Sequence, residues 1–106
     1  MIKFDEFKKL DLRIARIKDV KLHPDADKLY VLTIELGKED KQMVAGVRPY
    51  YKPEELKGRS VVVVANLEPA TIRGVESQGM VLAAKDSKTL SVLVPEKDIE
   101  IGSPIS

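Results

Sequence analysis

The sequence predicts a small all-β barrel, and three observations carry that prediction. Val61 to Ala65 is an apolar run too short for a helix and rich in β-branching, which reads as a strand buried on both faces. Leu29 to Leu36 alternates, with Tyr30, Leu32, Ile34 and Leu36 on one face and Leu29, Val31, Thr33 and Glu35 on the other. Helical patterning is confined to two short pieces, near Phe4–Leu10 and Pro53–Leu56. With 106 residues, 43% of them hydrophobic, the chain is long enough for one packed domain, residues 1–106, that buries about two-thirds of its unfolded surface.

Taken in order, Phe4, Phe7 and Leu10 recur at three-residue steps, which predicts a short helix docking those three side chains on the core. Asp11 to Leu22 has the β-branched content of a long, bent strand. His23-Pro24-Asp25-Ala26-Asp27 is a turn, because proline fixes φ and aspartates bond neighbouring N–H groups. Leu29–Leu36 and Gln42–Val47 follow as antiparallel strands around a Gly37–Asp40 turn. Pro53-Glu54-Glu55-Leu56 is one helical turn, with proline first and acids at its positive end, and Gly58 ends it. Val61–Ala65 and Met80–Ala84 are the fourth and fifth strands, separated by a polar loop from Asn66 to Gly79. A five-stranded antiparallel barrel with a short helix between strands three and four is the arrangement of the OB-fold. Leu90–Val94 and Ile99–Ile105 remain as extra C-terminal strands or an apolar tail.

Composition narrows the function classes. There is no cysteine, hence no disulfide framework or thiolate chemistry, and an intracellular, cytoplasmic location is the default expectation. No apolar run approaches the ~20 residues that cross a bilayer as a helix, so no membrane partner is expected. The formal net charge is +1, from 18 basic and 17 acidic residues, so nucleic-acid binding would need a local patch. A catalytic role lacks candidates: His23 is the single histidine, and no serine sits in a nucleophile motif. Asp25 and Asp27 offer too few oxygens for a hard cation, and no metal or other cofactor is expected. Tyr50 and Tyr51 either stack a base or staple their loop to the barrel.

The Asn66–Gly79 loop carries the most functional chemistry, because a rigid scaffold can hold polar groups there. Its Asn66-Leu67-Glu68-Pro69 and Arg73-Gly74-Val75-Glu76-Ser77-Gln78-Gly79-Met80 segments resemble the signature of a tRNA-binding domain family. That domain occurs at the C-terminus of methionyl-tRNA synthetases, as a free-standing homodimeric tRNA-binding protein, and in the endothelial-monocyte-activating polypeptide. Asp11-Leu12-Arg13-Ile14, Pro24 to Tyr30, Val44-Ala45-Gly46 and Tyr51 to Leu56 match in the family's order and extend the resemblance over nearly the whole chain.

The resemblance implies a non-catalytic accessory domain that binds tRNA by shape, sequence-tolerantly, and assists methionyl-tRNA synthetase as a separate subunit or excised domain. The start at Met1 and the barrel-sized length favour a separate subunit. It also implies a tRNA contact surface containing Lys28, Arg73, Ser77 and Met80. Lys28 and Arg73 would neutralise phosphates, Ser77 would bond a phosphate or 2′-hydroxyl, and Met80 would pack on a base or sugar. Asn66 would read a base edge or tie down its own loop; for Ser77 and Met80 a purely structural role stays open. Residues 90–106 are expected to contribute a homodimer interface, because an exposed apolar tail is otherwise an edge-pairing liability. The alternative is a dimeric OB-fold protein-binding module resembling a secretion-related chaperone, from which the Arg73–Met80 loop would distinguish this chain.

Overall fold

The computed structural model describes all 106 residues and is built on one long strand. After a four-residue helix α1 (Phe4–Phe7), β1 (Leu12–Leu22) runs the length of the barrel. β2 (Tyr30–Glu35) and β3 (Asp40–Ala45) form a hairpin, and α2 (Pro53–Leu56) leads into β4 (Ser60–Val64). A small hairpin, β5 (Ala70–Ile72) and β6 (Val75–Ser77), precedes β7 (Met80–Val81). β8 (Ala83–Lys85) and β9 (Leu90–Val92) follow as a separate pair. The main sheet has five antiparallel strands in the order β3-β2-β1-β4-β7, the all-β OB-type barrel the sequence predicts.

β1 serves two neighbours in succession. Leu12 to Arg16 pair with β4, Arg16 to Leu22 pair with β2, and an irregularity between Ile17 and Asp19 bends the strand. Such a bulge raises local twist and lets a sheet curl into a barrel. The edges β3 and β7 approach each other through Gln78, whose backbone N–H donates to the Gln42 carbonyl at 2.7 Å. Gly79 sits at this seam because nothing larger fits: a Cβ there would lie 2.6 Å from Met43 Cε and 2.7 Å from the Val64 carbonyl oxygen.

The interior is filled as the alternation predicts. Tyr30, Leu32, Ile34 and Leu36 all point inward with Ile17, Met43, Val61 and Val63. Leu56 of α2 is fully buried. The Glu55 carboxylate accepts from the Lys52 N–H at 2.7 Å, satisfying a free donor at the start of α2. Tyr51 proves to be a staple: its hydroxyl accepts from the Val92 N–H at 3.1 Å, and its carbonyl accepts from the Tyr30 hydroxyl at 2.6 Å.

Three expectations are corrected, and the open choice between strand and tail at the C-terminus is resolved. α1 forms, but Phe4, Phe7 and Leu10 stay exposed, because so short a helix is held by backbone bonds and not by an apolar face against the core. Met80–Ala84 is not one buried strand. Leu82 bonds both Val62 and Leu93, and the chain then leaves the barrel so that β8 can pair with β9. The Asn66–Gly79 loop contains a hairpin. Ile99–Ile105 is not a free strand: Gly102 N–H donates to Ile14, Ile14 N–H to Ser103, and Ile105 N–H to Leu12, at 2.7–2.9 Å. The tail thus covers the edge of β1 that β2 leaves open.

Candidate nucleic-acid interface

From β4 the chain crosses the barrel as a strap, residues 66–79, whose hairpin tip is Arg73-Gly74. Arg73 has φ 52° and Gly74 φ 89°, so both central residues are left-handed, as a tight hairpin matching strand twist requires. Glycine adopts this freely, but Arg73 is the only non-glycine residue of the chain with positive φ. Backbone strain of about 1–3 kcal/mol persists only where the surroundings hold it. Here the Arg73 guanidinium donates through Nη2 to the Asp25 carbonyl at 3.1 Å.

The tip is pinned by a residue the sequence reading placed only in a turn. His23 is 4% exposed; its Nδ1 accepts from the Asp25 N–H at 3.0 Å, and its Nε2 lies 3.0 Å from the Ile72 carbonyl. An acceptor role at Nδ1 puts the proton on Nε2, which then donates to Ile72. The imidazole thereby joins the β1–β2 turn to the hairpin tip. Arg48, also unremarked in the sequence, reaches the same turn: Nη1 donates to the Ala26 carbonyl at 3.4 Å, and the guanidinium lies 6.0 Å from the centre of the Tyr30 ring. Lys28 is exposed at the end of this turn.

The other expected site residues separate. Ser77 is buried, its Oγ accepting from the Val44 N–H at 2.9 Å and donating to the Gly79 carbonyl at 3.0 Å. Asn66 lies beside the start of β1, where Oδ1 accepts from the Asp11 N–H at 2.8 Å and Nδ2 donates to the Lys9 carbonyl at 2.7 Å. Lys28 and Arg73 are beyond the other end of that strand, whose 11 residues would span about 33 Å if straight. Met80 is 46% exposed and lines an apolar groove of about 520 Å³ with Val47, Leu67, Ile72 and Leu90. The structure thus brings Arg73 onto the turn that Lys28 follows, leaves Met80 open in a groove between strap and barrel, and engages the polar atoms of Ser77 and Asn66 internally.

A small antiparallel barrel with cations gathered on its loops is an OB-type binding module. The chain belongs to the family described as "Putative tRNA binding domain", whose model matches residues 12–104. It is 53% identical over 104 residues to the methionine–tRNA ligase of Pyrococcus horikoshii, and 49% identical over 105 residues to that of Thermotoga maritima. Those matches cover 98% and 99% of this chain but only 14% and 17% of the relatives, so the chain spans a small part of their length. Among solved structures, a MetRS-related protein from Pyrococcus horikoshii superposes with a TM-score of 0.92 at 28% identity, covering 100% of this chain and 98% of that one. The CsaA chaperone protein of Picrophilus torridus superposes with a TM-score of 0.92 at 31% identity, covering 100% of both chains.

Proposed function

We propose that this chain is a structure-selective, sequence-tolerant tRNA-binding module, without catalysis of its own, that assists a methionyl-tRNA synthetase. The observation that carries this reading is the left-handed Arg73 held at a pinned hairpin tip beside exposed Lys28. Strain maintained at an exposed cation points to a binding role, and the identity to methionine–tRNA ligases supports tRNA as the ligand. Lys28 and Arg73 contact phosphates, Met80 packs on a base or sugar, and Ser77 and Asn66 shape the strap.

The test is a titration with a folded tRNA transcript and an unstructured RNA of equal length, at several salt concentrations. Preference for the folded tRNA is expected, and replacing Lys28 and Arg73 together with alanine should lower the salt slope by about one to two. Equal, salt-fragile binding to both RNAs would leave only a generic OB-type binder. Binding to neither would favour the protein-binding reading, which the likeness to CsaA chaperone proteins and the apolar groove beside Met80 keep in view.

The chain also acts as a homodimer in this reading. Exposed Phe4 and Phe7 at one terminus, and Leu93, Val94 and Ile99 at the other, form apolar surface that a second copy would cover. Light scattering should give twice the 11.8 kDa chain mass, falling towards the monomer when Val94 and Ile99 are both replaced by serine. A monomeric wild-type chain would end this part of the proposal.

A further inference from the structure

Four of the five arginines divide by their partners into two kinds; exposed Arg59 makes no side-chain hydrogen bond or ion pair. Arg13 donates to both oxygens of Asp11 at 2.9 and 2.7 Å, and Arg16 donates twice to Glu35 at 3.0 and 2.8 Å. These charges are matched within the molecule, and hydrogen bonding to Asp11 raises the Arg13 pKa above its ordinary value. Arg48 and Arg73 instead donate to backbone carbonyls, and neither takes part in an ion pair. A carbonyl is a neutral acceptor. It fixes the position of a guanidinium while leaving the positive charge, and most of the five N–H donors, for an external anion.

The two carbonyls belong to consecutive residues, Asp25 and Ala26, whose Cα atoms stand about 3.8 Å apart. Lys28 follows two residues later on the same turn. The turn is anchored from within by His23, which holds the Asp25 N–H with one ring nitrogen and the Ile72 carbonyl with the other. Two guanidiniums from segments far apart in sequence therefore bond one short piece of backbone, and exposed Lys28 follows directly on it. The exposed carboxylates of Asp25 and Asp27 lie on that turn too and oppose any anion there, so binding depends on direct seating in the guanidinium forks.

We propose that Lys28, Arg48 and Arg73 form one preassembled phosphate site on the His23–Asp27 turn, with Arg48 a third binding cation and His23 the residue that positions the site. The identity of the phosphate carrier rests on the tRNA reading above; the anion site itself does not.

Wild type and variants are titrated with fluorescent tRNA transcript over a salt series, and wild type separately with inorganic phosphate while the arginine Nε–H signals are followed by NMR. Arg48→Ala is expected to weaken tRNA binding about tenfold and to lower the salt slope by about one, with only a small fall in melting temperature from the lost Ala26 bond. Arg48→Lys restores the charge without the fork, so it should recover the slope and only part of the affinity. His23→Ala should weaken binding, and adding it to Arg73→Ala should cost clearly less than the sum of the two single losses, because both act on the same pinned hairpin tip. Unchanged affinity and slope in Arg48→Ala would overturn the role of Arg48, and additive losses for His23 and Arg73 would overturn that of His23. Should His23→Ala fail to fold, His23→Gln retains a side-chain donor, and faster hydrogen exchange at the Asp25 N–H alone would report release of the turn; protection equal to wild type there would count against positioning. A wild-type protein that takes phosphate at Arg48 and Arg73 but ignores tRNA would keep the anion site and remove the tRNA reading. One whose arginine signals ignore phosphate, and whose Arg48→Ala variant binds tRNA normally, would lose the site.

Discussion

The two ends of β1 are closed by the same device with different consequences. At its start, Asn66 holds the Asp11 N–H and the Lys9 carbonyl; just past its end, His23 holds the Asp25 N–H and the Ile72 carbonyl. Each is a polar side chain that bridges two backbone segments distant in sequence. Around Asn66 lie exposed Leu10 and Leu67, with Lys41 donating to the Ala65 carbonyl and Arg13 already matched by Asp11. Around His23 lie Lys28, Arg48 and Arg73. The tie itself carries no function; what hangs on the tied segment does. An amide or imidazole inside a matched motif is therefore weak evidence of ligand contact until its own hydrogen bonds are known.

The strap from Asn66 to Gly79 connects these ends, and the largest expected effect lies where it rejoins the barrel. Gly79→Ala places a Cβ against the Val64 carbonyl, which cannot step aside as the Met43 side chain can. Overpacking of this kind costs about 1–3 kcal/mol, and the backbone contact puts this site near the upper figure. Thermal or urea unfolding should show the loss, and a stability equal to wild type would mean the strap shifts freely. A smaller effect sharpens the contrast between the ends. Asn66→Ala removes two hydrogen bonds at a solvent-exposed position, so a loss of about 1 kcal/mol is expected with the tRNA salt slope unchanged. A lower slope in that variant would give Asn66 a phosphate or base contact after all.

Much of the barrel was legible because its signals are local. Alternation from Tyr30 to Leu36, the valines from Val61 to Val64, and Pro53 opening a helix that Gly58 closes each follow from the geometry of a few successive residues. The site was legible only in part. Arg73 reaches the turn that carries Lys28, and Met80 stands open in its groove. Ser77 has its hydroxyl enclosed, because β6 lies against β3 and Val44 needs an acceptor there. Nothing in the neighbours of Ser77 in sequence announces that.

Local patterning was enough for the first four barrel strands, for the side chains those strands turn inward, and for a polar strap between the fourth and fifth strands. Only the tertiary structure decided that α1 keeps its phenylalanines in solvent, that the C-terminal tail lies along β1, and that His23, Arg48 and Arg73 share one turn. The first set depends on the period of side chains along a strand, which any short window contains. The second, α1 aside, depends on hydrogen bonds between residues 22 to 93 positions apart, such as Arg48 with Ala26 and Ile105 with Leu12. Such partners exist only once the barrel has closed and brought those segments within reach.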